Sequence, residues 1–216
     1  MTVSSFAKQL LKLSLKNRLI PLFVLLLVEV PLVAAAPGDK TKYSKVDVYL
    51  DLGQTQKAAS LMQNFKDKSD SNYHYYQGRI ASKFMQNQQS VQHFQQAITL
   101  NPKNAKAYAA MALVKGRMGK FQEALNDLDR AIAIDPGYAK AYSNRGVTRS
   151  AMQDNQAALA DFNQAIRLDP RLADAYRNRG ITREMVGDLK GACADWNIAS
   201  ALGQEGPKQW AAAQCK

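Results

Sequence analysis

The chain has 216 residues, 46% of them apolar, with a formal net charge of +11 and a pI near 9.6. That length allows one or two domains with a sizeable core, and the basic balance suits an acidic peptide, a membrane or a nucleic acid. No nucleophile–base pairing, phosphate-binding loop or metal-ligand spacing occurs in the sequence, so neither catalysis nor a metal or cofactor has residues to rest on.

Residues 1–36 read as an export element. The stretch MTVSSFAKQLLKLSLKNR carries Lys8, Lys12, Lys16 and Arg18 and no acid. The apolar run LIPLFVLLLVEVPLV follows, and then AAAPGDK. A cationic start, an apolar centre and small residues at its end describe a secretory signal. Cleavage after Ala35 places Val33 and Ala35 at the two small-residue positions. The alternative is an uncleaved anchor that ties the protein to a membrane. Leu19 to Ala36 is barely long enough to span, and it contains Pro21, Glu29 and Pro31. Either reading exports the chain to a periplasm or an organellar lumen. Export argues against a nucleic-acid partner and favours a protein or a membrane.

Beyond residue 36 the chain repeats itself every 34 residues, a period of stacked helix pairs. Gly78, Ala112, Gly146 and Gly180 align, as do Ser90, Ala124, Ala158 and Ala192. Phe94, Leu128, Phe162 and Trp196 align, followed by Ala97, Ala131, Ala165 and Ala199. His74, Tyr108, Tyr142 and Tyr176 open the units, and Pro102, Pro136 and Pro170 end three of them. The best-spelled unit predicts a first helix over 142–152 and a second over 155–168. Asp154 and Asp188 stand where the second helices need an N-cap. Gly119 and Gly187 suit the left-handed turn that ends a first helix. Asp135-Pro136 and Asp169-Pro170 stop the second helices, because a residue before proline avoids helical geometry. Gly146 and Ala158 predict helices touching backbone to backbone, and Phe162 predicts a bump that fills the space before the next pair. One pair alone cannot bury such a face, so the pairs stack.

These residues resemble the tetratricopeptide repeat family over 71–104, 105–138, 139–172 and 173–204, with a divergent unit at 37–70 and a capping helix at 205–216. His74 and Ser90 depart from the usual aromatic and Ala. The resemblance implies an all-α, right-handed α-solenoid of helix-turn-helix pairs. It also implies a non-enzymatic scaffold whose first helices line a concave groove for a partner. Similar exported repeat proteins help build envelope or photosynthetic-membrane complexes. In that register Asn144 and Asn178 look into the groove, where an amide can pair with both donor and acceptor of a peptide backbone. Lys106, Lys140, Arg177 and Tyr138 fall on or beside the same face and suit an acidic, aromatic-containing segment. Val147 and Ile181 occupy places where a carboxylate clamp would need further Asn, so that mode is not expected. Arg145 and Arg179 recur with Asp161 and Asp195 and are read as ties between helices. A homo-oligomer docked through 37–70 is the alternative to a foreign partner.

The two cysteines are expected to bridge. Cys193 lies eleven residues before Gln204 at the terminal turn and Cys215 eleven after it. In an antiparallel helix pair, equal distances from the turn put both residues at one height, which fits disulfide geometry. Export places the chain where such bonds persist. Pro207 suits the first turn of the cap.

Overall fold

The computed structural model describes residues 42–207 and Cys215. The described residues belong to one compact unit that begins at Lys42. The export element lies outside the described residues. So does most of the capping helix, of which residues 205–207 are helical. All regular structure among the described residues is α-helical, in five successive pairs. These are α1 (Ser44–Asp51) with α2 (Thr55–Gln63), α3 (Ser71–Lys83) with α4 (Asn87–Leu100), and α5 (Ala105–Arg117) with α6 (Phe121–Ile134). The last two are α7 (Ala139–Ala151) with α8 (Asn155–Leu168), and α9 (Ala173–Met185) with α10 (Leu189–Ala201). No helix among them is long and apolar enough to cross a membrane.

The ends of these helices follow from single residues. The Asp154 carboxylate accepts from Ala157 N at 3.3 Å, and Asp188 accepts from Gly191 N at 2.9 Å. Each satisfies a free N–H of a first turn. Asn101, Asp135 and Asp169 are extended (φ −140°, −133° and −139°) before their prolines and stop α4, α6 and α8. First helices start earlier than the sequence suggested, at Ala139 rather than Tyr142. There Tyr138 N closes a turn on the Asp135 carbonyl and Tyr138 becomes the N-cap. Left-handed backbone ends the first helices at Gly53, Gly119 and Gly187, as glycine allows. The same seat is filled by Met85 (φ 60°) and Gln153 (φ 66°).

Within a pair, glycine faces a ring rather than another backbone. A Cβ at Gly146 would lie 2.8 Å from the Phe162 ring, at Gly78 2.7 Å from Phe94, and at Gly180 2.5 Å from Trp196. The nearest neighbour at Gly146 is thus the Phe162 ring. Phe162 also turns back into its own pair instead of only filling the space before the next. A Cβ at Gly180 would also lie 3.2 Å from the Ala192 carbonyl oxygen. At the first of these pairs Ser90 Oγ donates to the Gly78 carbonyl at 2.8 Å, which explains a polar residue in a place otherwise held by alanine.

Pairs join through a repeated asymmetry. First helices touch first helices (α3 on α5, α5 on α7, α7 on α9). Second helices reach the next pair through its first helix (α4 on α5, α6 on α7, α8 on α9). The first helices therefore form the inner side of the stack and the second helices the outer.

Ion clusters close the last pairs. Arg145 grips Asp161 with Nε and Nη2 at 3.0 and 2.7 Å and reaches Asp129 on α6 at 2.7 Å. Arg149 adds a bond to Asp161 at 2.8 Å. One repeat on, Arg179 grips Asp195 at 2.9 and 2.6 Å and reaches Asn163 on α8 at 2.7 Å. Arg183 adds its bond to Asp195 at 2.9 Å. The two acids are almost fully enclosed, with side chains 5% and 1% exposed, so each carboxylate depends on both cations. At the terminus Cys193 and Cys215 are joined, with Cα atoms 5.6 Å apart. Cys215 packs on Ala192 and Trp196, and Pro207 is fully buried.

Candidate partner-binding groove

The inner face is built from equivalent positions on successive first helices. Lys106 and Lys140 are the second residues of α5 and α7, and both are exposed. Asn144 follows Lys140 by one helical turn on the same face of α7. Asn144 and Asn178 are half-buried. Beyond the helical ladder, their carbonyl oxygens accept from Thr148 and Thr182 Oγ1, each at 3.0 Å. These bonds use the backbone and not the amides. Arg177, beside Asn178, is half-buried, and its Nε is shielded from solvent without a hydrogen-bond partner among the described residues.

Leu113, Val147 and Ile181 run along the same helices one repeat apart. Leu113 and Val147 are exposed although apolar. The sequence drew attention to Val147 and Ile181 only as residues unsuited to a carboxylate clamp. Their repeat spacing was the signal that marks them as an apolar floor. In α3 the equivalent residue is Arg79, which reaches back to Asp47 on α1 and lies over the Tyr75 and Tyr76 rings. The N-terminal part of the face is thus occupied by the protein's own side chains.

Tyr138 stands differently from the lysines and asparagines. It packs with Tyr108 and Ile134 against the core of α5–α7. Burial first, then the neighbouring Tyr75 and Asp135, push its hydroxyl well above the ordinary phenol range, with Arg79 acting the other way. Tyr138 therefore lies within electrostatic reach of α3, two pairs away. Tyr138 is half-buried rather than free.

Two imidazoles come together. His74 on α3 and His93 on α4 have ring centroids 6.0 Å apart and nearly parallel planes, and the Tyr73 ring meets His74 edge-on. Burial, and then His74, hold His93 below the ordinary imidazole range. Tyr142 and Asp161 stand at the same two repeat positions, which is the signal that would have paired the histidines. No group of three or more His, Cys, Asp or Glu fit for a metal ion stands together among the described residues.

Family models of the tetratricopeptide repeat match residues 93–126, 117–153 and 139–172. No curated protein matches the sequence. Among solved structures, a thermophilic TPR protein of Thermus thermophilus superposes with a TM-score of 0.73 at 17% identity, covering 81% of this chain and 97% of its own. PilW, a widely conserved type IV pilus biogenesis factor, superposes with a TM-score of 0.65 at 18% identity, covering 78% and 79%. The TPR domain of Arabidopsis OM64 is 31% identical over 53% of this chain and 95% of its own, with a TM-score of 0.51. With 34-residue helix pairs, small residues seated against rings and these matches together, the chain belongs to the tetratricopeptide repeat family.

Proposed function

We propose that the solenoid is a non-enzymatic scaffold that holds a partner protein along the inner face of α5, α7 and α9, and that it assists assembly or stabilisation of an envelope or photosynthetic-membrane complex. The observation that carries this reading is the open row of Leu113 and Val147 beside Asn144 and Asn178, whose amides are left to a partner. Exposed Lys106 and Lys140 add a basic margin, so the partner segment is acidic. The likeness to PilW, itself a biogenesis factor, supports an assembly role, and the cationic, apolar N-terminus supports export. A photo-crosslinking residue at position 147 should capture a protein that one at Arg130, exposed on an outer helix, does not. Replacing Asn144 and Asn178 by Ala should then weaken that complex by about 1–3 kcal/mol, the scale of removing a polar partner from a desolvated site. Binding should also fall with salt. Equal capture at both positions, or unchanged affinity with an intact fold, would remove the groove from the account.

A further inference from the structure

The turns that join first to second helices carry an exposed apolar residue once per repeat. Leu52, Phe84, Met118, Met152 and Val186 are the C-cap residues of α1, α3, α5, α7 and α9. They are 38–65% exposed. Because the pairs stack in one direction, all five lie along one rim of the solenoid, away from the groove. Met85, Met185 and Leu189 widen the row and are also exposed.

The charges beside this row are polarised along it. At its N-terminal half stand Lys83, Arg117 and Lys120, all exposed, against Glu123. At its C-terminal half stand Asp154, Glu184 and Asp188, all exposed, against Lys190. Lys115, Arg149 and Arg183 reach the acids Asp127, Asp161 and Asp195 of their own pairs, and at longer range Lys115 and Lys120 meet Glu123 and Arg183 meets Asp188. A basic N-terminal half and an acidic C-terminal half along a regular apolar row make a surface complementary to itself when reversed.

We infer that this rim is the contact between two antiparallel copies of the chain. The two-fold axis passes between the α5–α6 and α7–α8 pairs. Met118 then faces Met152 of the second copy, and Phe84 faces Val186. The same register sets Lys83 opposite Glu184 and Asp188, and Lys120 opposite Asp154. An isologous contact of this kind closes as a dimer, with apolar residues at its centre and opposite charges setting its register. The rim is separate from the inner face, so both grooves stay open in the dimer.

The test uses charge exchange in the full chain, followed by light scattering after size exclusion. The parent should run at twice its 23.9 kDa chain mass. Lys83→Glu with Lys120→Glu makes both halves acidic. Asp154→Asn, Glu184→Lys and Asp188→Asn make both halves neutral or basic, and Asn keeps the two helix caps. Each variant alone should fall to the single-chain mass with its helical circular dichroism retained. An equimolar mixture should return to twice that mass, which also shows that both variants are folded. A parent of single-chain mass, variants that stay dimeric, or a mixture that stays monomeric would each overturn the inference.

Discussion

The pairs at the two ends of the solenoid share a backbone plan and close it with different chemistry. In α7–α8 and α9–α10 a buried aspartate sits between two arginines, the first of which also ties into the preceding pair. In α1–α2 and α3–α4 stacked rings share that work with one arginine, Arg79, which reaches Asp47 and Asp51 of the preceding pair. Tyr43 stacks on Phe65 and Tyr76 with centroids 5.1 and 4.7 Å apart, and His74 stacks on His93. Tyr43 also donates to Asp70 at 2.8 Å, and Tyr76 donates to Asp47. The central pair α5–α6 is intermediate, with one cation on its acid, Lys115 on Asp127 at 2.7 Å. The glycine and ring positions shape each pair, and the position facing the first aromatic can be ionic or aromatic without changing that shape. The ends should therefore respond differently to mutation, acid and salt.

The largest difference should come from Asp195→Ala. It strands Arg179 and Arg183 at a nearly closed site and should cost about 3–4 kcal/mol, the lower range for breaking a buried pair because both arginines retain some exposure to water. Chemical unfolding measures it, and a loss below about 1 kcal/mol would mean the cluster is ornamental rather than structural. Opening the Cys193–Cys215 link should cost about 3 kcal/mol in the chain-entropy model. Its presence is checked first by mass spectrometry of non-reduced, alkylated protein from the native compartment, where two free thiols would refute it. Gly146→Leu and Gly78→Leu should each cost roughly 1–3 kcal/mol or more by forcing a ring aside. Similar losses at both would show that the shared plan is independent of the closing chemistry.

Much of this plan is legible in the sequence because it resides in single positions. Aspartate caps, residues before proline and the glycines at left-handed turns act locally, and α8 begins at Asn155 and ends at Leu168 as its pattern predicts. The pairing of Arg145 with Asp161 was also readable from its recurrence. What the sequence concealed depends on reach across helices. Arg149 and Arg183 join the same acids from one turn further along, and the Phe162 ring meets Gly146. The proposed groove rests on a row of Asn and Lys in the sequence. Its apolar floor and the burial of Tyr138 depend on how far the stack curves.

Smaller effects sharpen the comparison. Burial outweighs Lys115 and raises the Asp127 carboxyl above its ordinary range. The folded protein therefore holds that proton more tightly than the unfolded chain, and any stability from it is lost as pH rises through the folded value. Asp127→Asn should leave neutral-pH stability within about 1 kcal/mol of the parent, in contrast to Asp195→Ala. The smallest effect belongs to His93. Its folded pKa lies below the ordinary value of about 6.5, so the unfolded chain protonates first as pH falls. Stability is full above that ordinary value and declines as pH drops through the folded one. Thermal melts should show this decline near the N-terminal pairs, and His93→Phe should flatten it.

Hydrogen exchange of the full chain, alone and with the protein captured at position 147, tests the scaffold claim most directly. Added protection should concentrate in α5, α7 and α9, on the segments carrying Leu113, Asn144, Val147 and Asn178. The outer helices α4, α6 and α8 should exchange as they do in the free protein. Protection confined to those outer helices, with the inner ones unchanged, would contradict binding in the groove.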